Sequence, residues 1–205
     1  MIPSADIEVF REVPFEQLAY PSAEDIAEWS LGRGWHRDVS PMPLGDWEDA
    51  AWRLDRETEL IGEIAAQADT PERFDDLAGD LECEVEGAEA AAPCDLGVAS
   101  AVYTLCAAYC PTEVSCRGHP PDQSPWSTFL VVKFCADAPR ARLVCEAAEA
   151  ARCGLAYDSE EEYLELWASS ITKMLAFSRE MLARRAQFEA LPVPDLPPED
   201  DEEDF

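Results

Sequence analysis

The sequence is short of basic residues, histidine and long apolar runs, and each shortage excludes something. Only 15 Lys and Arg stand against 44 Asp and Glu, so the 205-residue chain carries a formal charge of −29. A surface of that sign repels phosphates, which argues against direct nucleic acid binding. Two histidines occur, His36 and His119, and they leave few options for acid–base chemistry built on imidazole. No apolar run approaches the ~20 residues of a membrane span, so no membrane association is expected. The opening Met1-Ile2-Pro3-Ser4-Ala5-Asp6 has neither the basic region nor the apolar stretch of a signal peptide. A cytoplasmic location follows as the expectation, with the eight cysteines as reduced thiols and not a disulfide framework. The G-x-G-x-x-G, Walker, H-E-x-x-H and G-x-S-x-G motifs are all missing. Paired carboxylates such as Asp75-Asp76 carry no acid–base information in so acidic a chain, because solvated faces are their default.

What is there is unevenly spread. Residues 1–100 hold 25 acidic and six basic residues, residues 101–190 hold 12 and nine, and residues 191–205 hold seven acids and no base. The charge divides the chain into three regions: an acidic, mainly helical region at 1–92, an α+β domain at 93–190, and a disordered acidic tail at 191–205. The tail combines four prolines within 192–198 with the run Glu199 to Asp204, and it has little apolar surface to bury.

Periodicity and caps predict the elements. One short strand fits within residues 1–20, around Ile7, Val9, Val13 and Phe15. Ser22 starts a helix through Ile26 and Trp29 that ends at Gly32 and Gly34. Asp46 to Ala68 is a helix by its stripe of Trp47, Ala51, Leu54, Ile61 and Ala65. Thr70-Pro71-Glu72 begins another, with Phe74, Leu77 and Leu81 on its apolar side. The acidic, Ala-rich stretch Glu82 to Pro93 reads as a flexible seam. Asp95 caps a helix to about Tyr109, stopped by Pro111. Strands follow at 113–116 and at Phe129 to Phe134, the second of central-strand character. Asp137 caps a helix closed by Cys153-Gly154. Two strands around Leu155–Tyr157 and Tyr163–Trp167 flank a hairpin loop, and Ser169 or Ser170 caps a last helix. From Asp95 the order is αββαββα. The expected class is α+β: a four-stranded, largely antiparallel sheet with packed helices, ferredoxin-like or a related sandwich.

Three constellations gather around Ser115-Cys116-Arg117-Gly118-His119-Pro120. Cys106, Cys110, Cys116 and His119 supply three thiolates and an imidazole, a set that zinc accepts. Buried free thiols are the alternative for the same cysteines. Cys116 beside Arg117 and His119 has the makings of an activated thiol. Cys116, Arg117, Gly118 and His119, with Trp126 leaning over the turn, form a ligand-binding turn in which Arg117 holds a carboxylate or phosphate. The competing reading is a structural turn with Arg117 paired to a local acid.

The same hexapeptide, followed by the strand to Phe134 and a helix ending Arg152-Cys153-Gly154-Leu155, resembles a module of uncharacterised bacterial proteins, a resemblance that covers about half of the chain and brings no activity. The turn Ser115-Cys116-Arg117-Gly118 is also similar to the Ser-Cys-x-Gly turn of the wybutosine-pathway tRNA-modifying methyltransferases. Their basic character is missing here and His119-Pro120 departs from their pattern, so their activity is not carried over.

The function expected on these grounds is a non-enzymatic cytosolic binding or regulatory protein, of the immunity or inhibitor kind, that engages a basic protein partner. An enzyme or zinc-dependent module centred on Cys116 and His119 is the alternative, and a nucleic acid mimic is a second. Plain solubility also explains the charge.

Overall fold

The computed structural model describes residues 2–22, 44–91, 94–118 and 129–195. The expected helix from Ser22, His119, Trp126 and all but the first residues of the acidic tail lie outside them. In chain order the elements are β1 (Arg11–Glu12), α1 (Trp47–Gln67), α2 (Pro71–Glu82), α3 (Val85–Ala91), α4 (Ala99–Ala107), β2 (Thr112–Cys116), β3 (Leu130–Phe134), α5 (Ala138–Ala151), β4 (Gly154–Asp158), β5 (Tyr163–Ala168), α6 (Ile171–Ala183) and α7 (Arg185–Glu189).

The class is α+β. The sheet has five strands in the order β1-β4-β5-β3-β2, one more than expected. Every pair is antiparallel except β1 with β4, which is parallel. The added strand is β1, two exposed residues inside the 1–20 stretch where a short strand is expected; it is Arg11–Glu12, between the alternating Ile7, Val9 and Val13, Phe15 and not on them. It is held from outside itself. Leu155 donates to the Phe10 carbonyl at 3.0 Å, the Arg11 guanidinium bonds the Cys153 carbonyl, and Phe10 stands edge-on to Trp167 with ring centroids 4.8 Å apart.

Alternation along the strands separates two faces. Leu130, Val132 and Phe134 of β3 share a face with Leu164, Leu166 and Ala168 of β5. All six are buried in one continuous core with Leu105 of α4, Val144 of α5 and Met174 of α6. Each large apolar side chain of this set stabilises the fold by ~1.5–3 kcal/mol relative to exposure. Val131, Lys133, Glu165 and Trp167 take the other face. Gly154 lies opposite Trp167, and a Cβ there would meet the indole at 2.0 Å, so the position admits no side chain.

The core runs without a break from Trp47 to Phe188, so the acidic helices belong to it. Asp46 caps α1 by accepting from the Asp49 N–H, Thr70 does the same for α2 through Arg73, and Asp137 caps α5 through Arg140. The caps at Thr70 and Asp137 fall where the sequence puts them, and Asp46, expected as the first helical residue, is the cap just before it. The expected seam is instead α3, since Glu-Gly-Ala-Glu-Ala-Ala is rich in helix formers. Asp95 is not a cap. The N-cap of α4 is Val98, which makes no side-chain cap bond, and the Asp95 carboxylate is engaged elsewhere.

Candidate functional site

The turn after β2 is built around a buried guanidinium. Arg117 is 8% exposed. Its Nε donates to Asp75 Oδ1 at 2.9 Å, its Nη1 to Glu82 Oε1, and its backbone N–H to Asp95 Oδ2 at 3.1 Å. Asp75 and Glu82 are seven residues apart on α2, so two turns of one helix face deliver both to the same place. Glu82 Oε1 also accepts from the Leu96 N–H at 2.7 Å. Burial disfavours the Arg117 charge, but Glu82, Asp95 and Asp75 outweigh it and hold the guanidinium above its ordinary pKa. Glu82 is pushed up by burial, drawn back by Arg117 and the Leu96 N–H, and pushed again by Asp95. The cation that the sequence offers to a ligand is therefore bonded by two carboxylates of its own chain, and a third takes the backbone N–H of the same residue.

Gly118 makes that turn possible. Its φ is +78°, and a Cβ would lie 2.7 Å from the Phe129 backbone. The chain leaving β2 and the chain entering β3 touch there, as only glycine permits. The Gly118 N–H points at Cys116 Sγ, 3.3 Å away. Burial nonetheless pushes the Cys116 thiol up, with Asp95 and Asp75 adding to it against the pull of Gly118 and Arg117. That is the opposite of thiolate activation.

The cysteines do not converge. Cys116 lies across from Val131 and Ser115 across from Val132, so Cys116 is on the sheet face away from the helices. Cys106 is on the helical side, its Sγ 3.6 Å from Thr112 Oγ1, and Cys110 bonds the Ala108 carbonyl at 3.8 Å. Burial pushes the Cys106 thiol up to about 11 and Cys110 well above the usual range. Among the described residues no group of three or more His, Cys, Asp and Glu could hold a metal ion.

One buried acid escaped the sequence reading. Glu57 of α1 is fully buried. Its Oε1 accepts from the N–H groups of Gly97 and Ala99 at 2.6 and 3.1 Å, and its Oε2 from Ser100 N–H at 3.0 Å. These donors stand at the N-terminus of α4, where unpaired N–H groups and the helix dipole favour an anion. Burial raises the Glu57 pKa, and the bonds from Ser100, Gly97 and Ala99 oppose the rise. The legible signal was an acid on an apolar stripe, between Leu54 and Ile61.

A cavity of about 410 Å³ lies between Tyr20-Pro21, the start of α5 and Pro192–Asp195. Arg140 beneath it is 2% exposed. It bonds the Ala108 carbonyl, Asp137 and the Pro192 carbonyl, and so ties the chain after α7 to α5. Outside, the solvent faces of α1 and α2 carry exposed Asp55, Glu59 and Glu63, and Glu72, Asp76 and Asp80. No helix among the described residues is long and apolar enough to cross a membrane. Comparison with protein-family models, with curated proteins and with solved structures finds no match to the chain.

Proposed function

We propose that the chain is a non-catalytic, cytoplasmic binding or regulatory protein of the immunity or inhibitor kind, and that it engages a basic protein partner through its acidic helical layer. The observation that carries this reading is the row of exposed carboxylates on α1 and α2, borne by helices that Glu57 and Arg117 fasten to the α+β unit. Carboxylates on a fixed scaffold bind a cationic surface at little ordering cost and steer its approach.

The sheet supports the ferredoxin-like part of the reading. β3, α5 and β4 form a β-α-β unit split by β5, and β2 lies beside β3. In a β-α-β-β-α-β chain that place belongs to the last strand. The unit is then a permuted ferredoxin-like arrangement, with α4 and β2 moved to its front.

The test is capture by the immobilised chain, elution between about 50 mM and about 500 mM salt, and reconstitution with each eluted protein in purified form. The expected result is a basic protein that binds the purified chain and loses affinity roughly tenfold or more across that range. Elution of no such protein overturns the proposal. The zinc or thiol-enzyme alternative is separated by Cys116→Ser, which leaves the interaction intact if the partner docks on the helices.

A further inference from the structure

Resting on that reading, we propose that the docking face is the outer side of α1, centred on Trp52, and that the partner places an arginine side chain on the indole, within a ring of carboxylates. Trp52 is 43% exposed, whereas Trp47 and Trp167 are 3% and 6%. It is also far from the buried side of its helix. At 3.6 residues per turn, Glu48, Trp52, Asp55, Glu59 and Glu63 fall within a sector of about 80°. That sector is opposite the stripe of Leu54, Glu57, Ile61 and Ile64, all buried. A large aromatic in the middle of the polar face lies off the packing stripe of an amphipathic helix. Aromatic anchors inside a polar rim are the usual centre of a protein interface.

The chemistry around the indole selects a cation. Glu48 and Asp55 stand one turn to either side of Trp52, within reach of a guanidinium lying on the ring. Neighbouring cations are committed elsewhere or weakly held. Arg53 stacks closely on Tyr103, at 3.7 Å, and bonds Asp49 and the Glu89 carbonyl; it approaches the Trp52 ring only to 5.8 Å, so a closer cation improves on it. Arg185 reaches Glu48 at 2.8 Å and Arg56 reaches Glu59 at 2.8 Å. The Arg185–Glu48 pair is solvent-exposed and so exchanges readily for a better-placed cation, whereas Arg56 is half-buried and stays with Glu59. Arginine suits the site better than lysine, because its flat guanidinium stacks on the ring and bonds carboxylates at its edge together.

The experiment titrates the full chain at low salt with two probes of equal charge, a nonamer of arginine and a nonamer of lysine. Binding is measured by calorimetry, and the Trp52 indole N–H is followed by NMR, assigned through Trp52→Phe. The expected result is tighter binding of the arginine peptide, a shifted Trp52 indole, and an affinity loss of about tenfold in Trp52→Ala that removes the preference for arginine. Glu48→Gln with Asp55→Asn weakens both peptides, and substituting Glu160, Glu161 and Glu162 by Gln on the hairpin loop weakens neither. Binding that leaves the Trp52 indole unmoved, or that Trp52→Ala does not alter, overturns the docking face while the basic-partner reading stands. Failure of both peptides to bind at low salt overturns that reading as well.

Discussion

Glu57 Oε1 lies 2.6 Å from the backbone nitrogen of Gly97, so an acid from the charged helical layer closes the N-terminus of a helix in the α+β unit. The two regions that composition separates are joined at a fully buried carboxylate. Glu57→Ala leaves three N–H groups unpaired and is expected to destabilise the fold by ~3–5 kcal/mol, with Glu57→Gln, which retains one acceptor oxygen, near ~2–3 kcal/mol. Urea unfolding of both variants at neutral pH checks the order and the size.

The same carboxyl makes stability depend on pH in an unusual direction. Its pKa is raised by folding from an ordinary 4.5, so the folded state binds the proton more tightly than the unfolded one. Its contribution is complete below about pH 4.5 and is lost as pH rises through the folded value. The stability gap between the native chain and Glu57→Gln is therefore expected to shrink from pH 4.5 toward pH 8. A gap that widens with pH, measured by urea midpoints, would contradict the sign.

Arg117 is expected to act on stability and not on binding. Arg117→Ala removes the guanidinium from Asp75 and Glu82, while Asp95 retains the backbone N–H, at a cost of ~3–5 kcal/mol. Thermal melts should show the loss, and partner affinity measured well below the melting range should match that of the native chain. Arg117→Lys retains the charge but not the fork that spans two acids, and falls between the two.

Gly154→Ala forces a methyl group into the indole of Trp167. An overpacking cost of ~1–3 kcal/mol is expected. Trp167→Leu in the same chain recovers part of it, because the obstructing ring is gone. Double-mutant cycles on chemical unfolding measure that coupling.

The thiols should sort by exposure. Cys83 is exposed, while Cys106, Cys110 and Cys153 are buried, and burial pushes Cys153 up to about 12. Brief alkylation at about pH 8, read by peptide mass spectrometry, is expected to label Cys83 and spare those three until the fold is opened. Rapid labelling of Cys106 or Cys110 in the native chain would show that the helix end opens locally.

Much of the scaffold is written locally. The caps at Thr70 and Asp137 and the apolar run from Leu130 to Phe134 each state their structure within a few residues, and the structure agrees. What the sequence hides depends on chain that is distant. Arg117 and Asp75 are 42 apart, and Glu57 and Ala99 likewise. Nothing near Asp95 says that its carboxylate takes the Arg117 N–H, so a residue of the right type at a helix start reads as a cap. A strand within residues 1–20 was legible from alternation, but its two paired residues, Arg11 and Glu12, are fixed by distant β4. The candidate turn was legible in its glycine, since a positive φ beside a close backbone contact is what Gly118 supplies. Its arginine was ambiguous, because local spacing does not reveal which acids α2 brings to it.

The place of β1 at the edge of the sheet sets a timetable for synthesis. Arg11 and Cys153 are joined across 142 residues, and β5, which sits between β3 and β4, is made after both. A ribosome releases β2 and β3 as a possible hairpin, yet the sheet cannot grow past β3 until Tyr163 to Ala168 have emerged. β1, made before the other described strands, waits for β4 and docks among the last. Long-range closure of this kind makes for slow folding and leaves the β3 edge open while the chain is still growing, so that edge is where a nascent chain is most in need of protection from its neighbours.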